Sequence, residues 1–121
     1  MRSKLNLYYA YVIYHIIVNR EGMNMSIHNP QHPGEFIKNT YLEPLGYSCR
    51  YLSAKLNVAS STLNRILKGQ SGITPEMALR LSKAVGRTPE SWLAMQDNYD
   101  LWQARQNINL GNVHSVSFVA A

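Results

Sequence analysis

The sequence predicts an all-α domain of five short helices. Three observations carry that prediction. Apolar residues recur three or four positions apart from Phe36 onward, a Thr-Pro-Glu start signal occurs twice, and Gly46, Asn57, Gly69 and Gly86 stand where four of the runs must stop. With 121 residues, 45% of them hydrophobic, the chain suits one compact domain with a modest core.

Pro33 opens the first helix, GEFIKNTYLEPLG, in which Phe36, Ile37, Tyr41 and Leu45 form the apolar face and Pro44 with Gly46 ends it. Ser48 caps the second helix, SCRYLSAKL, whose Leu52 and Leu56 lie four apart; Asn57 follows where a left-handed residue is wanted. The third, SSTLNRILKG, keeps Leu63, Ile66 and Leu67 on one side and spends Ser60, Ser61, Thr62, Asn64, Arg65 and Lys68 elsewhere. Thr74-Pro75-Glu76 and Thr88-Pro89-Glu90 each supply a cap, a proline at the first helical position and a carboxylate beside the positive helix end. The fourth helix is expected to bury Met77, Ala78, Leu81 and Val85, and the fifth carries a stripe of Trp92, Met95, Tyr99 and Trp102. After Gln106 the pattern fails, and the tail INLGNVHSVSFVAA reads as loop with room for a short strand near residues 116–119.

The chain therefore divides into a leader (residues 1–25), a helical domain (26–107) and a tail (108–121). The leader holds LNLYYAYVIYHIIV, fourteen residues without Lys, Arg, Asp or Glu, which falls short of the roughly 20 that span a bilayer. Its basic start resembles a secretory signal, but no small-residue cleavage pattern follows. Met23 or Met25 reads as the natural start, with the upstream segment a non-native or variable extension; if present, its Tyr, Val and Ile content leans towards strand.

Formal net charge is +5 and the pI is near 9.5, as expected of a protein that meets a polyanion. Residues 33–86 hold seven basic groups (Lys38, Arg50, Lys55, Arg65, Lys68, Arg80, Lys83) against Glu35, Glu43 and Glu76, a balance of +4, whereas the balance from Arg87 onward is −1. The charged footprint lies mid-chain. Cys49 is the lone cysteine, so no intrachain disulfide forms and a reducing, cytoplasmic setting is expected. His28 and His32 have a ligand-like spacing, but Pro30 between them opposes a shared helix face, and no metal or cofactor is expected. The carboxylates are scattered and no nucleophile-and-base arrangement or Gly-rich phosphate loop is present, which argues against an enzyme.

Helices two and three, separated by a short turn, form a unit in which the second helix enters the DNA major groove while the first crosses the backbone. The expected DNA contacts are Ser48, Arg50, Ser60, Ser61, Thr62, Asn64, Arg65 and Lys68: short hydroxyls and an amide for base edges, cations for guanine or phosphate. Large aromatics in the fifth helix exceed what its core needs. Trp92 is read as core, and Tyr99 and Trp102 as core or dimer contact.

The stretch SCRYLSAKLNVASSTLNRILKG resembles the helix-turn-helix of the Xre/Cro repressor family, in Ser48, Leu52, small Ser53, Leu56, Val58, Ser61-Thr62-Leu63 and Arg65. That resemblance implies a five-helix, lambda-repressor-like domain. It departs at Asn57, where glycine is usual, and at Ala59, where a serine cap is usual. The flanks HPGEFI, GITPEMALRLSKAVG and PESWLAMQDNYDLWQA extend the resemblance, over residues 32–105, to the HigA-type antitoxins. It implies a homodimeric antitoxin that binds a HigB-type mRNA-cleaving ribonuclease toxin and represses its own operon at double-stranded operator DNA, with no membrane partner. Two alternatives stay open: a stand-alone phage- or plasmid-type repressor without a toxin, and a regulator anchored to a membrane surface by the leader.

Overall fold

The computed structural model describes residues 29–119, so the leader and its expected strand lie outside the described residues. In chain order come α1 (Pro33–Ile37), continued by a wider π-helical turn (Lys38–Leu42), then α2 (Cys49–Leu56), α3 (Ser60–Leu67), α4 (Pro75–Val85) and α5 (Pro89–Asn107).

Four of these helices begin on a side-chain cap. Ser48 Oγ accepts from the Tyr51 amide at 3.0 Å, Thr74 Oγ1 from Met77 at 3.2 Å and Thr88 Oγ1 from Ser91 at 3.0 Å. His32 caps α1, its Nδ1 accepting from the Gly34 amide at 2.9 Å. Only α3 starts bare, because Ala59 has no side-chain acceptor. Asn57 ends α2 in the left-handed region (φ 56°, ψ 48°), which Asn tolerates better than most residues with a Cβ.

The core gathers one face of every helix: Ile37, Leu52, Leu56, Leu63, Ile66, Met77, Ala78, Leu81 and Trp92 are buried. Trp92 is wholly enclosed and its indole N–H donates to the Gly86 carbonyl at 3.1 Å, so the largest core side chain leaves no polar atom unpaired. Gly34 brings α1 onto the end of α3 so closely that a Cβ there would collide with the Ile66 carbonyl. The absence of a side chain thus sets the spacing between these two helices.

Two sequence expectations need correction. Leu45 does not share the apolar face of the first helix; the π-helical turn closes at Leu42, a turn follows, and Leu45 is exposed. The extra residue in that wide turn shifts the register, and Pro44 prevents its recovery. The tail forms no strand: among the described residues none is in a sheet, and the expected 116–119 segment has no neighbouring strand to pair with.

Candidate nucleic-acid interface

The N-termini of α2 and α3 lie side by side. Cys49, the first residue of α2, places its Sγ 3.6 Å from the carbonyl of Ser60, the first residue of α3. Both positive helix ends therefore fall within one small patch. Burial pushes the Cys49 thiol pKa up, so the sulfur is a neutral spacer there.

A second link fixes the angle between the helices. Ser53, buried in α2, donates to the Arg50 carbonyl at 3.0 Å, and its Oγ also lies 3.0 Å from Ser60 Oγ. A hydroxyl has one proton, so with both bonds made Ser60 is the donor to Ser53 and presents outward only acceptor lone pairs. Of the expected contact residues, Ser48, Arg50, Ser60, Ser61, Asn64, Arg65 and Lys68 are exposed and Thr62 is half-buried. Ser48 also serves as the α2 cap, but its hydroxyl proton remains available to a phosphate oxygen.

The mid-chain positive charge is not all placed on this patch. Arg80 turns inward, donating from Nη1 to the carbonyls of Leu56 and Asn57 at 2.8 and 3.2 Å while Nη2 meets Glu76 at 2.8 Å. It finishes the C-terminus of α2. Lys38 lies 3.8 Å from Glu43, and Lys55 sits over the Tyr51 ring at 5.4 Å.

Three supporting residues were not singled out as such from sequence. Gln96, buried in α5, accepts at Oε1 from the Ile73 amide at 2.8 Å and donates from Nε2 to Asp100 at 3.0 Å, which holds the loop leaving α3. Gly34 and His32 fix the start of α1 against the opposite end of α3. Tyr99, expected as core or dimer contact, packs edge-on against His32, with ring centroids 4.8 Å apart at 84°. Trp102 is half-buried one turn further on. The signals for these roles were long-range: residues 73 and 96 are distant in sequence, and only folding brings them together.

Residues 40–93 match the Helix-turn-helix family. The chain is 45% identical over 76 residues to Virulence-associated protein I of Dichelobacter nodosus, covering 63% of this chain and 70% of that one. The chain belongs to the helix-turn-helix family that includes the HigA antitoxins. Antitoxin HigA-1 of Vibrio cholerae is 34% identical over 83 residues, covering 69% of this chain and 78% of its own. The solved structure of antitoxin GraA is 37% identical with a TM-score of 0.70, covering 73% of this chain and 98% of its own. GraA in complex with its operator is 38% identical with a TM-score of 0.65, covering 76% of this chain and 93% of its own. The matched residues 40–93 contain α2, the turn after it and α3.

Proposed function

We propose that this protein is a cytoplasmic antitoxin that represses its own operon by binding operator DNA as a homodimer and neutralises a HigB-type mRNA-cleaving ribonuclease. The observation that carries the DNA-binding part is the paired N-termini of α2 and α3, beside an α3 face of exposed Ser61, Asn64, Arg65 and Lys68. The GraA structure with its operator supports the same reading, and Antitoxin HigA-1 supports the toxin partner. No helix among the described residues is long and apolar enough to cross a membrane.

On this reading α3 lies in the major groove. Asn64 is suited to adenine N6 and N7, Arg65 to guanine O6 and N7, and Ser60, with its proton committed, to an exocyclic amino group. Ser48, Arg50 and Lys68 hold flanking phosphates, which fixes the register without reading sequence. Toxin restraint uses a different surface.

The test is a Thr62→Ala, Asn64→Ala, Arg65→Ala triple variant. Each good base contact contributes about 1–3 kcal/mol of discrimination, so operator binding is expected to fall to the non-specific level while a co-expressed toxin is still neutralised. Retained repression would move the reading surface off α3; loss of toxin rescue by a folded variant would show that the two surfaces overlap. A stand-alone repressor is distinguished by the absence of any co-purifying toxin.

A further inference from the structure

Between α2 and α4 the helical unit leaves a cleft of about 700 Å³. Its floor belongs to the core: Leu42, Leu52 and Leu56 line it although each is only 3–5% exposed. Its rim is aromatic, with Tyr41, Tyr47 and Tyr51 standing around it beside Leu45. Of the four large apolar side chains left exposed among the described residues before Leu101, three (Leu45, Tyr47 and Tyr51) belong to this one rim. Single exposed apolar residues are ordinary, but a cluster of them around a recess marks a binding surface.

The charge of the cleft has one sign. Lys55 borders it from α2 and Lys83 from α4, and no Asp or Glu is among the residues that line it. Arg80 lines it too, but its guanidinium is already committed to Glu76 and to the carbonyls of Leu56 and Asn57. Lys55 rests over the Tyr51 ring at 5.4 Å, and that ring stacks on Tyr47 with centroids 4.4 Å apart at 23°. The two tyrosines thus make a flat aromatic wall with an ammonium group held against it.

We propose that this cleft binds a small planar aromatic anion, with its ring over the leucine floor beside the tyrosines and its carboxylate held by Lys55 and Lys83. The size fits, since pockets for small molecules hold roughly 300–1,000 Å³ and combine an apolar lining with a few polar groups. A stable protein interface takes about 800 Å² from each partner, more than a recess framed by four side chains exposes. Both parts of the ligand are needed. An uncharged ring would leave the two ammonium groups unused, and an anion without a ring would leave the leucine floor wet. Ser60, Ser61, Asn64, Arg65 and Lys68 are not among the lining residues, so the site is separate from the α3 face and does not rest on the operator reading.

The experiment is an amide NMR titration of the full chain with indole-3-acetate, repeated with indole-3-acetamide, which keeps the ring and lacks the charge. The carboxylate is expected to shift the amides of residues 47–55 and 83–85 with a Kd of about 1 mM or tighter, and the carboxamide to bind at least ~5-fold more weakly. Lys55→Ala combined with Lys83→Ala should abolish that difference, Lys83→Arg should keep it, and Tyr51→Ala should weaken both probes. All three positions are exposed, so melting temperature should hold in every variant. No shift up to about 10 mM, equal binding of the two probes by the unsubstituted chain, or shifts centred on residues 60–68 would each overturn the proposal. Substitutions that leave both probes bound as before yet release a co-purifying protein would assign the cleft to that protein and equally overturn it.

Discussion

His32 stands where α1, the loop after α3 and α5 converge, and its chemistry allows one state. Nδ1 accepts from Gly34, so that nitrogen must be unprotonated. Burial lowers the imidazole pKa below 6.5, opposed by the charges of Asp100 and Glu35 and by the Ser71 backbone. Because the folded pKa is the lower one, the unfolded chain binds more protons in the acid range, and stability falls as pH drops through the unfolded value and towards the folded one. Melting temperature is accordingly expected to decline from about pH 7.5 to about pH 5.5. His32→Asn keeps a capping oxygen but cannot titrate; its melting curve should start lower, through lost packing on Tyr99, and vary less over the same range. An equal slope in both proteins would place the titration elsewhere.

Between elements, the decisive contact is one that no local signal announces. Alanine normally improves on glycine in a helix by about 0.5–1 kcal/mol, yet at Gly34 a Cβ would occupy the space of the Ile66 carbonyl. Overpacking of this kind costs about 1–3 kcal/mol, so Gly34→Ala is expected to lower the melting temperature by several degrees, at roughly 4–8 °C per kcal/mol for a domain this size. A rise would mean that α1 and α3 separate freely. Helix existence was legible because caps and stops are local: Thr74, Thr88, Ser48 and Asn57 occupy the places their chemistry predicts. The π-helical turn was not, since no residue in KNTYL marks it. Nor was the inward turn of Arg80, counted from sequence as part of the basic footprint, because its acceptors at Leu56 and Asn57 lie more than twenty residues away.

For the molecule as a whole, the proposed DNA contacts could be named from the sequence as residues on and beside α3, but the geometry around them could not. Apolar spacing identified which side of SSTLNRIL faces the core; it contained nothing about the Ser53–Ser60 bond or the hold of Gln96 on Ile73. The positive charge left on the α2–α3 patch after Arg80 and Lys38 find partners still includes Arg50, Arg65 and Lys68. Operator affinity should therefore fall steeply with salt, by about 0.9 log unit per log of salt for each phosphate neutralised. Lys68→Ala should reduce that slope on any DNA sequence, whereas Asn64→Ala should alter affinity and leave the slope alone. Filter binding across a salt series checks both, and a slope near zero would exclude DNA as the main polyanion.

The missing cap at Ala59 links two properties usually treated apart. With no side-chain oxygen at Ala59, the Thr62 amide falls back on the Ala59 carbonyl at 3.0 Å, and a phosphate set against the Ser60 and Ser61 amides would complete the turn only in the complex. Repair of the omission should then help one side of a thermodynamic cycle more than the other. Ala59→Ser is expected to stabilise the free protein by about 1 kcal/mol and the operator complex by less, so operator affinity drops as the melting temperature rises. If affinity instead holds while stability increases, no phosphate sits at that helix end. On the expected outcome, selection for tight repression would favour the less stable sequence, with DNA finishing a fold that the chain leaves incomplete.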